Sequence, residues 1–188
     1  MTEPSDEALM KGYAEGDMPA FEQLYQRYRG PLYRYILRLV GDAPTANDLY
    51  QGSWEKIIAA RRRYRASTPF RAWMFRIAHN HAIDHFRRAR SLAPSAHHAP
   101  APDDLATANP GPEQELANEQ AAARLEAALR ELPDEQRQAV LLKLEVGLDL
   151  RAIAEVTGVN PETAKSRLRY GTARLKAALG EADEGPGA

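Results

Sequence analysis

Between Thr163 and Tyr170 the chain presents hydroxyl, ammonium and guanidinium groups in close succession: Thr163, Lys165, Ser166, Arg167, Arg169 and Tyr170. At helical spacing these groups fall on the side opposite Ala164, Leu168 and Leu175. Lys and Arg can donate to guanine edges in the major groove or to phosphates, and small hydroxyls can do either. This is the chemistry of reading duplex DNA. Chemistry that makes or breaks bonds is not indicated elsewhere. The absence of cysteine excludes disulfides, zinc fingers and thiol catalysis. No H-E-x-x-H, Walker or G-x-S-x-G pattern is present. His79, His81 and His85 raise a metal reading, because His81 and His85 form an i,i+4 pair. They lack a third ligand, and solvated imidazoles on a basic helix are the simpler expectation. No metal, cofactor or catalytic residue is therefore expected.

Holding such a face requires a fixed second helix, and the preceding residues supply one. A short helix at Leu150–Thr157, marked by Leu150, Ile153, Ala154 and Val156, runs into Gly158, which suits the left-handed residue after a helix. Val159 can plug the core. Asn160 is a good N-cap, and Pro161 fits the first helical position, where its missing N–H costs nothing. The unit reads as a helix-turn-helix whose second helix is basic and well capped. An ordinary helical hairpin with a solvated basic face is the competing interpretation.

Charge along the chain alternates. Lys56 to Arg90 holds ten Lys/Arg against Asp84, Ser91 to Ala123 holds five acids and no Lys or Arg, and Asn160 to Gly180 holds five Lys/Arg against Glu162. Two basic patches on a chain of net charge −1 suit a polyanion gripped in two places. The segment between them holds Pro94, Pro100, Pro102, Pro110 and Pro112 and reads as a flexible Pro/Ala-rich linker over 91–112. The acidic start is not a signal peptide, and no apolar run approaches the roughly 20 residues that span a bilayer. A soluble, cytoplasmic protein without membrane insertion is expected.

Strand signals are weak and helical spacing is strong, so the fold class is all-α, with two small helical domains at 8–90 and 113–179. In the first, Phe21, Leu24, Tyr25 and Tyr28 mark one helix; Leu32, Ile36 and Leu39 a second; Leu49, Trp54, Ile57 and Ile58 a third. Gly30-Pro31 and Gly41-Asp42 read as breaks between them. Phe70, Met74, Ile77 and Ala78 open a fourth helix that continues to about Arg90. In the second domain, helices are expected at 113–131 (with Leu116, Leu125 and Leu129), from Pro133 to Gly147, and at the two helix-turn-helix segments.

The strings Leu132-Pro133-Asp134-Glu135-Gln136-Arg137 and Asn160-Pro161-Glu162-Thr163-Ala164-Lys165-Ser166-Arg167-Leu168 are similar to the C-terminal domain of bacterial sigma factors. The chain resembles the compact extracytoplasmic-function (ECF) group, which keeps only sigma domains two and four. Independently, Pro69 to Ala78 with Asn80, Ala82-Ile83-Asp84 and Arg87-Arg88 resembles that group's promoter-melting segment, and Ala46, Asp48, Leu49 and Gln51 its polymerase-binding helix. The resemblance implies an alternative sigma factor, not an enzyme, that joins core RNA polymerase and directs it to promoter DNA. It places Thr163, Lys165, Ser166, Arg167, Arg169 and Tyr170 on the −35 duplex. It places Tyr64, Arg76, Asn80, Asp84, Arg87 and Arg88 at the melted −10 element, with Arg61–Thr68 where the family captures a flipped base. Asp48, Leu49, Gln51 and Glu55 would meet the clamp region of the polymerase beta-prime subunit. For Phe70 and Trp73, packing is the expected role, and Asp84 can pair with Arg87 or Arg88.

One departure stands out. Asn47 and Gly52 occupy positions where the family typically carries Glu, so the acidic cluster on the polymerase-binding helix is thin. Either Asp48 and apolar contacts suffice, or phosphorylation by a Ser/Thr kinase restores charge, with Ser53 the best-placed acceptor and Thr45, Ser67 and Thr68 next. Control by an anti-sigma factor is a further alternative. A stand-alone helix-turn-helix regulator remains the rival class; it would leave the match from Trp73 to Arg88 unexplained.

Overall fold

The computed structural model describes residues 3–92 and 112–180, with side chains described over 3–91 and 120–180. The expected linker thus lies almost wholly outside the described residues, as does the side chain of Leu116. Helices α1 (Asp6–Glu15), α2 (Met18–Val40), α3 (Ala43–Ala60) and α4 (Phe70–Leu92) form the first unit. Helices α5 (Pro112–Arg130), α6 (Asp134–Leu144), α7 (Leu150–Thr157) and α8 (Pro161–Gly180) form the second, and the described residues contain no strand.

Local chemistry explains most boundaries. Ser5, Asp17 and Asp42 each accept the backbone N–H three residues on, capping α1, α2 and α3. Gly16 and Gly41 end α1 and α2 with φ of 108° and 82°, in the left-handed region where a Cβ is unfavourable. The start of α4 is capped from a distance: Glu7 Oε1 of α1 accepts the Phe70 N–H at 3.0 Å.

Two features differ from the sequence expectation. The first helix, α1, has no counterpart in it; Leu9, Met10 and Tyr13 are buried on one face against the rest of the unit. The Gly30-Pro31 break does not occur, and α2 runs through Pro31 as one helix. Proline removes one helical N–H and crowds the carbonyl four residues back. Here that cost is outweighed because Leu24, Tyr28, Leu32, Tyr35, Ile36 and Leu39 form a single buried stripe across it. Each such side chain contributes about 1.5–3 kcal/mol when fully buried, so two stripes in register favour one helix over two.

Tyr35, Phe70, Phe75, Leu32, Ile36 and Met74 centre the core of the first unit, and Val140, Leu141, Leu142 and Ile153 that of the second. The buried residues of both units belong to one cluster. The units meet where α4 packs on α7 and α2 packs on α6.

Candidate nucleic-acid interface

Helix α7 starts at Asp149, whose Oδ1 accepts the Ala152 N–H at 2.8 Å. It ends at Gly158, φ 68°, and the Val159 N–H returns to the Ala154 carbonyl at 3.1 Å. Asn160 Oδ1 then accepts the Thr163 N–H at 2.8 Å, with Pro161 at the first position of α8. The turn is built as its sequence indicates. The inward face of α8 carries Ala164, Gly171 and Leu175. Gly171 is required by proximity: a Cβ there would stand 2.8 Å from Val140 Cγ2 and 3.2 Å from the Gln136 carbonyl oxygen. That contact sets α8 directly on α6.

The outward face of α8 is open. Lys165, Ser166, Arg169 and Tyr170 are exposed, and Thr163 and Arg167 are half-buried. The Arg169 guanidinium lies 4.7 Å from the Tyr170 ring centroid, and its Nη2 donates to the Tyr170 hydroxyl at 3.0 Å. Helix α4 offers a second open strip. Arg76, Asn80, Asp84 and Arg87 follow at one-turn spacing, all exposed, with Arg88 beside them. Asp84 pairs with Arg87 Nη1 at 3.5 Å, as its spacing indicates.

The buried side of α4 corrects the solvated-histidine expectation for His79. That residue is 3% exposed, and its Nδ1 lies 2.9 Å from the Tyr35 hydroxyl. Burial lowers its pKa to about 4 and raises that of Tyr35, so both are neutral near pH 7. His81 is half-buried; burial lowers its pKa, and the charges of Lys56 and Arg88 lower it further. No group of three possible metal ligands occurs among the described residues.

Tyr64 also differs from its expected place. It is buried, packs edge-on against Phe70 and Trp73, and donates its hydroxyl to the Thr68 carbonyl at 2.8 Å. Its ring therefore does not face a stacked base; the exposed groups around it are Arg62, Arg63 and Arg65.

On α3, Asp48, Gln51 and Glu55 share one exposed stripe, whereas Leu49 is 4% exposed and turns into the core. Ser53, the candidate phosphate acceptor, is fully buried. Its Oγ donates to the Leu49 carbonyl at 2.6 Å, and a kinase has no access to it in this fold. The thin acidic cluster has a packing reason at one position, since His81 fills the notch left by Gly52.

Five residues at the junction of the units carry no signal in their local sequence. Arg34 and Arg38 of α2 meet Glu145 just after α6, and Arg71 of α4 donates to the Val146 carbonyl at 3.2 Å. They are joined only by tertiary contact across 75 or more residues.

A helix-turn-helix with an open cationic face, docked to a second helical unit with its own cationic strip, defines a DNA-binding protein of the transcription machinery. The Sigma-70 region 2 family model matches residues 24–92, and the Sigma-70, region 4 model matches 122–175. The ECF RNA polymerase sigma factor SigE of Mycolicibacterium smegmatis is 32% identical, over 93% of this chain and 69% of its own. The structure of CnrH in complex with the cytosolic domain of CnrY superposes with a TM-score of 0.68 at 26% identity, covering 95% of this chain and 99% of that one. The sigma factor RpoE of Bartonella quintana, crystallised with the anti-sigma factor NepR, gives a TM-score of 0.71 at 22% identity, covering 85% and 96%. The chain belongs to the ECF group of RNA polymerase sigma factors. It is an alternative sigma factor that directs transcription initiation. No helix among the described residues is long and apolar enough to cross a membrane.

Proposed function

We propose that α8 reads the −35 element as duplex and that the exposed strip of α4 takes the −10 element as a single strand. The observation that carries this reading is the open face of α8, held rigidly by the Asn160 cap and the Gly171 contact. Lys165, Ser166, Arg169 and Tyr170 are free to enter the major groove, with Thr163 and Arg167 near phosphates. Arg76, Arg87 and Arg88 supply charge to the displaced strand, and Asn80 supplies polar contacts to unstacked bases. Asp48, Gln51 and Glu55 face the basic clamp of the beta-prime subunit. A dedicated anti-sigma factor is the favoured regulator, supported by the complex of the structurally similar RpoE with NepR.

The test is reconstitution with bacterial core polymerase, followed by co-elution and run-off transcription on genomic fragments. Wild type should bind core and initiate. Lys165→Ala/Arg169→Ala should still bind core yet lose initiation, and Asp48→Lys/Glu55→Lys should lose core binding. Failure of wild type to bind core while it binds a palindromic duplex as a dimer would favour a stand-alone regulator.

A further inference from the structure

Arg169 and Tyr170 form a pair on the open face of α8. The Arg169 guanidinium carbon lies 4.7 Å from the Tyr170 ring centroid, and Nη2 donates to the phenol oxygen at 3.0 Å. Successive helical residues diverge by about 100° around the axis and do not face each other. Here both side chains lean together over the outward face. On the inward side of the same turn, Gly171 is pressed against Val140 and Gln136, so the pair projects from a fixed point on the helix. Tyr170 is 53% exposed and fills no place in the core. Its neighbours along the outward stripe, Ser166, Ala173 and Ala177, are exposed and short. Arg169 and Tyr170 are therefore the part of this stripe that reaches farthest from the helix.

The partner of Arg169 is unlike those of other helical arginines in the chain. Arg87, Arg130, Arg137 and Arg151 each meet a carboxylate three or four residues away on their own helix. The residues at those spacings from Arg169 are Lys165, Ser166, Thr172 and Ala173, none of them acidic. A carboxylate would orient the guanidinium but also neutralise it, and DNA would have to displace the acid. A tyrosine ring orients the guanidinium through its π face and its hydroxyl and leaves the full charge in place. Of the five guanidinium N–H groups, one is used on the phenol oxygen. Two are enough for the O6 and N7 acceptors of a guanine.

We propose that Arg169 sets the base preference at one G·C pair of the −35 element by a forked contact to guanine, and that Tyr170 is a positioning residue that holds the fork in place. The inference rests on the assignment of α8 to the −35 duplex. Tyr170 lowers the ordering cost of the contact, because the long arginine side chain is already arranged before DNA arrives. It needs no contact of its own with a base.

The test uses holoenzyme assembled from the full chain and bacterial core polymerase, selected on promoter-length duplexes randomised across the −35 region. Wild type should favour G·C at one base pair by about tenfold over the alternatives. Arg169→Ala should abolish the preference at that base pair and leave the others. Tyr170→Ala should relax the same base pair to about threefold, whereas Tyr170→Phe, which keeps the ring, should retain most of the preference. Dissociation constants on the selected duplex complete a cycle. Tyr170→Ala should weaken binding about fivefold in wild type and less than twofold in an Arg169→Ala background. The slope of log affinity against log salt should not change with either tyrosine substitution, since no charge is removed. Losses that add in the double variant, or a Tyr170→Ala effect at a different base pair, make Tyr170 a DNA contact and overturn its positioning role. If Arg169→Ala weakens all sequences equally and lowers the salt slope by about 1, Arg169 is a phosphate anchor and the proposal is overturned. A shift of preference in Lys165→Ala with none in Arg169→Ala also refutes it, while the assignment of α8 stands. If neither Lys165→Ala nor Arg169→Ala changes which −35 sequences are selected, the assignment of α8 has failed and the inference falls with it.

Discussion

His81 of α4 lies in the notch that Gly52 leaves in α3, its Cε1 2.4 Å from where a Cβ on residue 52 would stand. Gly inside a helix costs about 1 kcal/mol relative to Ala, and the imidazole recovers part of that by filling the space. Gly52→Ala should lower stability in the wild-type background, because the ring must leave its place beside Ser53. In a His81→Ala background the same change should stabilise by about 1 kcal/mol. Urea denaturation of the four proteins of this cycle measures the coupling.

The buried pair of His79 and Tyr35 predicts acid sensitivity. The folded-state pKa of His79, about 4, lies below the unfolded value of 6.5. Between these values the unfolded chain binds the proton more readily, so stability present above pH 6.5 is lost as pH falls towards 4. The loss should reach roughly 3 kcal/mol. Denaturation midpoints from pH 7 to 4 should fall more steeply for wild type than for His79→Gln.

Removing the cap of the recognition helix should loosen it without touching a DNA contact. Asn160→Ala leaves the Thr163 N–H without its 2.8 Å partner, at a cost of about 1 kcal/mol. Gly171→Ala should cost about 1–3 kcal/mol by pushing α8 away from Val140 and Gln136. Both should weaken −35 duplex binding in proportion to lost helicity, measured by circular dichroism and fluorescence anisotropy.

Lys165 and Arg167 differ in exposure, and the difference should be readable in salt dependence. If Arg167→Ala removes a phosphate contact, the slope of log affinity against log salt should fall by about 1. A change at a base-reading position should instead relax sequence preference. Binding titrations on the −35 duplex and on point-substituted duplexes separate the two.

Tyr64→Phe should lose about 1 kcal/mol with the hydroxyl bond to the Thr68 carbonyl. Affinity for a single-stranded −10 oligonucleotide should stay within about twofold, since the ring is a packing group. A loss of tenfold or more would return Tyr64 to the DNA interface.

Much of the C-terminal unit was legible in the sequence because its signals are local. Asn160-Pro161, Gly158 and the apolar spacing of α7 each dictate one turn by short-range chemistry. The first unit was less so. Pro31 suggested a break, but the stripe from Leu24 to Leu39 overrode a local rule through tertiary burial. Helix α1 is short, and its buried face of Leu9, Met10 and Tyr13 packs mainly on the following helix α2. Ser53 lies one helical step from the exposed stripe of Asp48, Gln51 and Glu55, on the core side with Leu49. The contacts of Glu145 were invisible in the sequence because its partners lie over 100 residues away.

The hydrogen bond from the Phe70 N–H to Glu7 has a consequence for biogenesis. The two residues are 63 positions apart. At synthesis rates of about 5–20 residues per second, the Glu7 carboxylate waits on the order of 3–13 s before its partner is made. During that interval α1, α2 and α3 lack α4, and the apolar residues destined to meet it are without their partner. Completion of this bond closes a long loop, a step whose entropy must be overcome before native contacts repay it. Maturation of the first unit is therefore governed by its last helix, and a nascent chain stalled before Phe70 would be a substrate for chaperones.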